Sequence, residues 1–293
     1  MSTIIERAKV QIKGFTDLSH RLERDIILNG KSRKTFNAYI GQIASIALYF
    51  KKLPFDVSDD QIAEFLFQVK TENRYSETYF KFTVYGLRYI FKLYGYNQRK
   101  IDLPSIPHEK TLPVILSQQE CKQLISLAKT FRDKFLLALI YSAGLRMGEA
   151  QRLEKNDIDC QRMLLHIRQG KGKKDRYVVL SKLIANRFDK YCNEYKITKY
   201  VFAGQKPGHY ISETGMRRIL KAALKTAAIE KDVCLHSLRH CFATHLLENG
   251  TDIITVKEQL GHEDIQTTMR YLQVANMERT RSISPLDSLY NIK

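Results

Sequence analysis

The chain has 293 residues, 44% of them apolar, with 48 basic and 31 acidic side chains and a formal net charge of +17. That apolar share is enough for real cores, and the length suits one large domain or two ordinary ones. Five cysteines, an odd number without a CxxC pair, argue against a disulfide framework. The N-terminus lacks the apolar core of a signal peptide, and the stretch around FLLALIYSAGL is too short to span a bilayer. A cytoplasmic protein is expected.

The positive charge is not confined to a tail. Residues 1–110 hold 18 basic and 12 acidic side chains, and residues 111–293 hold 30 and 19. Two basic halves suit a long polyanion touched by both, and nucleic acid is the usual one. A merely basic protein is the plain alternative.

The first hundred residues read as helical. Phe36, Ile40, Ile43, Ala47 and Phe50 form one apolar face. Ser58 is a helix start ahead of Ile62, Phe65, Leu66 and Val69, and Ser76 ahead of Phe80, Val84, Leu87 and Phe91. On this last helix Lys81, Arg88 and Lys92 form a second stripe about 100° from the apolar one. Such a stripe suits a helix lying along a DNA backbone, and equally an ordinary solvated face. Three prolines within residues 101–117 then interrupt regular structure. The spacing predicts a helical domain over 1–105, a linker over 106–116 and a second domain over 117–293.

The second domain opens with SQQE, where Ser117 and Glu120 match a capping box. An apolar helix covering Phe135 to Tyr141 ends near Gly144. MLLHIRQGKGKKDRYVVLS, residues 163–181, holds two β-rich runs around a glycine turn, a hairpin with lysines at its tip. Helices resume to the end. The expected fold is mainly α, with a small β-sheet or hairpin in the second domain.

Phosphoryl transfer without a metal needs residues that this chain supplies. Its transition state spreads negative charge over oxygens that arginine forks can hold. A lysine or histidine can move a proton, and a deprotonated tyrosine can be the nucleophile. Arg146 follows a glycine and a leucine at the end of the apolar helix, and Lys171 sits at the hairpin tip. His236 and Arg239 share a helix face, His262 follows a helix-stopping Gly261, and Tyr271 lies nine residues further on. Lys173 and Lys174 rival Lys171 as phosphate contacts. LHSLRHCFATHLL could also be read as a metal site, but it lacks HExxH and places Arg239 between the histidines. No metal and no cofactor are expected. His240 and His245 read as satisfied structural histidines.

In that order GLRMGE, GKG, HSLRH, LGH and Tyr271 resemble the signature of the tyrosine recombinases of the phage integrase family, closest in style to compact Xer-like and integron-type enzymes. Any one motif is weak, and five in order are specific. The resemblance implies a two-domain DNA clamp, with a helical core-binding domain followed by a catalytic domain. It implies site-specific recombination on double-stranded DNA through a 3′-phosphotyrosyl link and a Holliday junction. It also implies four protomers on two duplexes, with accessory proteins as further partners. Arg146 and Arg239 would bind the scissile phosphate, Lys171 would protonate the leaving oxygen, and His236 would assist proton transfer at Tyr271. His262 would donate to the phosphate, Tyr271 would attack, and Glu149 would buttress the active-site histidine. Lys81, Arg88, Lys92, Lys173 and Lys174 would contact DNA. The apolar tail from Ile283 to Leu289 would dock on a neighbouring protomer. Cys241 stands where a serine is common, and Glu263-Asp264 where small residues are common.

Two other classes compete. TDIITVKEQLGHEDIQTTMRYL resembles a helix-turn-helix, which would make the chain a DNA-binding protein without catalysis. A type IB topoisomerase would use the same nicking chemistry.

Overall fold

The computed structural model describes residues 3–72, 76–99, 113–168 and 175–279. The chain divides into two compact units, residues 1–109 and 110–293. Most of the expected linker, and the whole tail from Ile283, lie outside the described residues.

The first unit is built from α1 (Ile4–Gln11), α2 (Phe15–Leu28), α3 (Arg33–Phe50), α4 (Asp59–Thr71) and α5 (Glu77–Leu93). Ser58 and Ser76 each accept a backbone N–H from the first turn of their helix, so these serine starts read in the sequence are real caps, and Ser32 caps α3 in the same way. The apolar faces of α3 and α5 meet in one core with Leu18, Leu22 and Ile26 of α2. Lys81 lies on α5 paired to Glu77 at 2.9 Å, while Lys92 is exposed in the last turn.

The second unit contains α6 (Gln118–Ser126), α7 (Phe131–Ala143), α8 (Met147–Arg152), α9 (Lys182–Glu194), α10 (Glu213–Thr226), α11 (Leu235–Glu248), α12 (Ile253–Leu260) and α13 (Gln266–Arg279). Between α8 and α9 runs a small antiparallel sheet, β1 (Ile158–Asp159), β2 (Leu164–Ile167) and β3 (Arg176–Val179). The β2–β3 pair is the expected hairpin, with Leu165 opposite Val178 and Ile167 opposite Arg176. The two-residue β1 was not foreseen, being too short to carry a period.

Apolar α7 is the centre of this unit. Phe135 stacks on Tyr191 of α9 at 4.2 Å between centroids, with Phe202 at 6.3 Å. Such ring pairs add roughly 0.5–1.5 kcal/mol beyond the area they bury. Leu116, ahead of α6, is also fully buried: its N–H donates to Cys241 Sγ at 3.2 Å and its carbonyl accepts from His245. A smaller core joins α11, α12 and α13 through Phe242, Leu247, Val256, Leu260, Tyr271 and Ala275. No described helix is long and apolar enough to cross a membrane.

Candidate active site

Two helices stop abruptly at the site, each at a left-handed glycine. Gly144 closes α7 at φ 57°, and Gly261 closes α12 at φ 62°. A Cβ on Gly144 would lie 2.4 Å from Phe242 Cδ1, and one on Gly261 would lie 2.8 Å from Arg176 Cδ. Both stops leave unpaired carbonyls at the negative ends of their helices.

Arginines satisfy those carbonyls. Arg239, on α11 and fully buried, donates Nη1 to Gly144 O and Nη2 to Leu260 O, each at 2.6 Å. Arg146, which caps α8, donates Nη2 to Gly261 O at 3.2 Å. Arg239 Nε is buried and, among the described residues, has no hydrogen-bond partner.

Glu149 joins the cations. It accepts from Arg146 Nη1 at 2.9 Å and from the Arg146 N–H at 2.8 Å. It also accepts both Nη atoms of Arg176, each at 2.8 Å. Burial would raise its pKa, but Arg176 and Arg146 overcome that and hold it at about 2. Glu149 was expected to buttress a histidine. Instead it grips two arginines, because a carboxylate with a 3% exposed side chain requires cationic forks on both oxygens.

The remaining groups come from α11, the end of α12 and α13. His262 Nε2 lies 3.1 Å from Arg239 Nη2, and its Nδ1 lies 2.9 Å from Thr268 Oγ1. The ring of His262 is near-parallel to that of Tyr271, with centroids 6.2 Å apart. Tyr271 is only 3% exposed, and its hydroxyl lies 2.9 Å from His240 Nδ1. His236 meets the His240 ring edge-on, with centroids 4.4 Å apart.

Electrostatics keeps all three imidazoles neutral. Burial, then neighbouring cations and histidines, lower His236, push His240 to about 4 and push His262 to about 3. Burial raises Tyr271 against the pull of Arg239 and Arg146, so the phenol keeps its proton.

The fold therefore gathers Arg146, His236, Arg239, His262 and Tyr271, which the sequence spreads over 126 positions. Lys171, Lys173 and Lys174 lie outside the described residues. Glu263 and Asp264 are exposed, and Asp264 accepts the Gln266 N–H at the start of α13. His245 is satisfied, lying 2.8 Å from Tyr141 Oη and 3.0 Å from Leu116 O. His240 is satisfied as well, its partner being the Tyr271 hydroxyl. Sequence reasoning also missed Arg176 and Thr268. Arg176 carried a faint signal as a cation at the mouth of the hairpin, and Thr268 carried none. Among the described residues no cluster of histidine, cysteine and carboxylate could hold a metal.

A buried Arg239, a half-buried Arg146, neutral histidines and a buried tyrosine thus share one site. The profile of the Phage integrase family matches residues 115–278. A putative integrase/recombinase of Sinorhizobium fredii is 31% identical over 94% of this chain and 90% of its own length. The tyrosine recombinase XerA of Pyrococcus horikoshii is 30% identical over 92% of this chain and 93% of its own. The XerA recombinase crystal structure matches with a TM-score of 0.54 and 26% identity, over 92% of this chain and 99% of that one. XerH site-specific recombinase, bound to difH substrate in a pre-cleavage complex, shares the fold with a TM-score of 0.67 at 21% identity, over 96% and 93% of the two chains. The chain belongs to the phage integrase family and is a tyrosine recombinase of the Xer-like type.

Proposed function

We propose that the chain cleaves and rejoins specific double-stranded DNA sites through a 3′-phosphotyrosyl intermediate on Tyr271. Arg146 and Arg239 hold the scissile phosphate, and His262 donates to one of its oxygens. Lys171 protonates the departing 5′ oxygen, and His236 supports proton movement around the tyrosine. The link conserves bond energy, so a 5′ hydroxyl from another strand can rejoin it, giving strand exchange through a Holliday junction. The first unit, including Lys81, Arg88 and Lys92, binds the duplex, with Lys173 and Lys174 as further phosphate contacts. Four protomers act on two duplexes.

The observation that carries this reading is Arg239 Nε, buried with no partner among the described residues, on a guanidinium whose Nη2 meets His262. A buried guanidinium donor without an acceptor is costly unless an anion completes it. Similarity to XerH in its DNA complex supports the same substrate class.

The test is covalent trapping in EDTA. Wild-type and Tyr271→Phe protein are incubated with nicked duplexes of randomised core and with host DNA, and SDS-stable adducts are mapped. An adduct at Tyr271 that vanishes in the variant supports the reading. Specific binding without any adduct would leave a DNA-binding protein without catalysis. Relaxation of supercoils without strand exchange would make it a topoisomerase-like enzyme.

A further inference from the structure

We infer that His240 is the base that takes the proton of Tyr271 when the tyrosine attacks, so that His236 acts one step behind it. The inference rests on Tyr271 being the nucleophile.

Position carries it. His240 Nδ1 and Tyr271 Oη are 2.9 Å apart, within the range that direct proton transfer requires. The other imidazoles are engaged elsewhere. His262 uses Nε2 toward Arg239 and Nδ1 toward Thr268. His236 presents its ring to His240 at 79° between planes. Tyr271 is nearly sealed from solvent, so its proton leaves through a side chain rather than through bulk water.

Protonation states agree. The phenol keeps its proton at rest, and His240 is a neutral imidazole with room to accept one. The groups that disfavour a charged His240, after burial itself, are His236 and Arg239. A phosphate bound to Arg239 offsets that cation and so strengthens the base when the substrate is in place.

The step balances. Tyr271 Oη forms a bond to phosphorus while the P–O5′ bond breaks. The phenolic proton moves to His240 Nδ1, and the leaving oxygen takes a separate proton from the general acid of the proposed mechanism. On rejoining, the 5′ hydroxyl gives its proton back to that acid as it attacks phosphorus, the P–Oη bond breaks, and His240 returns the proton to Tyr271.

Two measurements on the full chain test this. The first is 15N-imidazole NMR of wild-type and Tyr271→Phe protein without DNA. The expected result is an unprotonated His240 Nδ1 whose resonance moves when the hydroxyl is removed. A protonated Nδ1, or an unmoved resonance, overturns the inference. The second uses a duplex trapped by the wild-type protein, remade with a bridging 5′-phosphorothiolate so that the leaving group needs no proton. His240→Asn keeps an acceptor near the Nδ1 position but is not a base. It should form adduct at least about 100-fold more slowly, with DNA binding unchanged. A wild-type rate in His240→Asn, or faster cleavage in His240→Phe, overturns the inference. If the Asn variant does not fold, the NMR result alone decides. If wild-type protein gives no adduct on any DNA, the recombinase chemistry itself fails, and the catalytic role of His240 fails with it. The NMR result, which needs no DNA, tells those two failures apart.

Discussion

Arg239 fixes the tautomer of His262. A guanidinium only donates, so Nη2 at 3.1 Å makes His262 Nε2 an acceptor. The ring proton then sits on Nδ1 and is donated to Thr268 Oγ1 at 2.9 Å. A histidine that donates to phosphate needs the opposite tautomer. The hydroxyl of Thr268, which can both accept and donate, permits that exchange. Thr268→Val should therefore slow adduct formation by about tenfold, the worth of one hydrogen bond, with little change in thermal midpoint. An unchanged cleavage rate would remove Thr268 from the mechanism.

The Glu149 carboxylate gives the second unit a defined acid limit. Its folded pKa, about 2, lies below the ordinary 4.5, so its stabilisation is full above pH 4.5 and fades as pH falls toward 2. Urea titrations of wild-type and Glu149→Gln protein should differ most at neutral pH and converge as pH falls from 4.5 toward 2. Curves that stay parallel through that window would contradict the assignment.

Neutral histidines act at milder acidity. His240 and His262 have folded values of about 4 and 3, against an ordinary 6.5. Lowered histidine values contribute stability above 6.5 that is lost as pH falls through the folded values. Wild-type stability should begin to drop below pH 6.5, and the His240→Asn, His262→Asn double variant should show a shallower drop between pH 6.5 and 4. Equal slopes would mean that folding leaves the proton affinity of the two rings unchanged.

Gly144 tolerates no side chain. Its positive φ and the 2.4 Å approach of Phe242 Cδ1 combine conformational and steric cost. Gly144→Ala should destabilise the protein by on the order of 3 kcal/mol in urea unfolding. Gly144→Ala with Phe242→Leu should recover part of that loss, and no recovery would mean that the backbone angle alone sets the cost.

Legibility followed local physics. Ser58, Ser76 and Ser117 announce their helices because a cap is a three-residue event. Gly144 and Gly261 mark the stops, and Arg146, Arg239, His262 and Tyr271 were visible through their order and spacing. The contacts of His240 were not, since an imidazole on a helix reads alike whether it meets a core carbonyl or a phenol. Arg176 reaches Glu149 across 27 positions, and no periodicity records such a pairing.

Arg239 ties the ends of α7 and α12 together through Gly144 O and Leu260 O, so the same side chain holds up the protein and faces its proposed substrate. Tyr271 bears no comparable burden at its hydroxyl, which one imidazole contacts. Descendants drifting toward inactivity would accordingly lose the tyrosine hydroxyl early and keep the arginine long after. A relative with phenylalanine at position 271 and an intact arginine at 239 would be a retired enzyme that still folds, whereas one lacking the arginine would have lost its shape along with its trade.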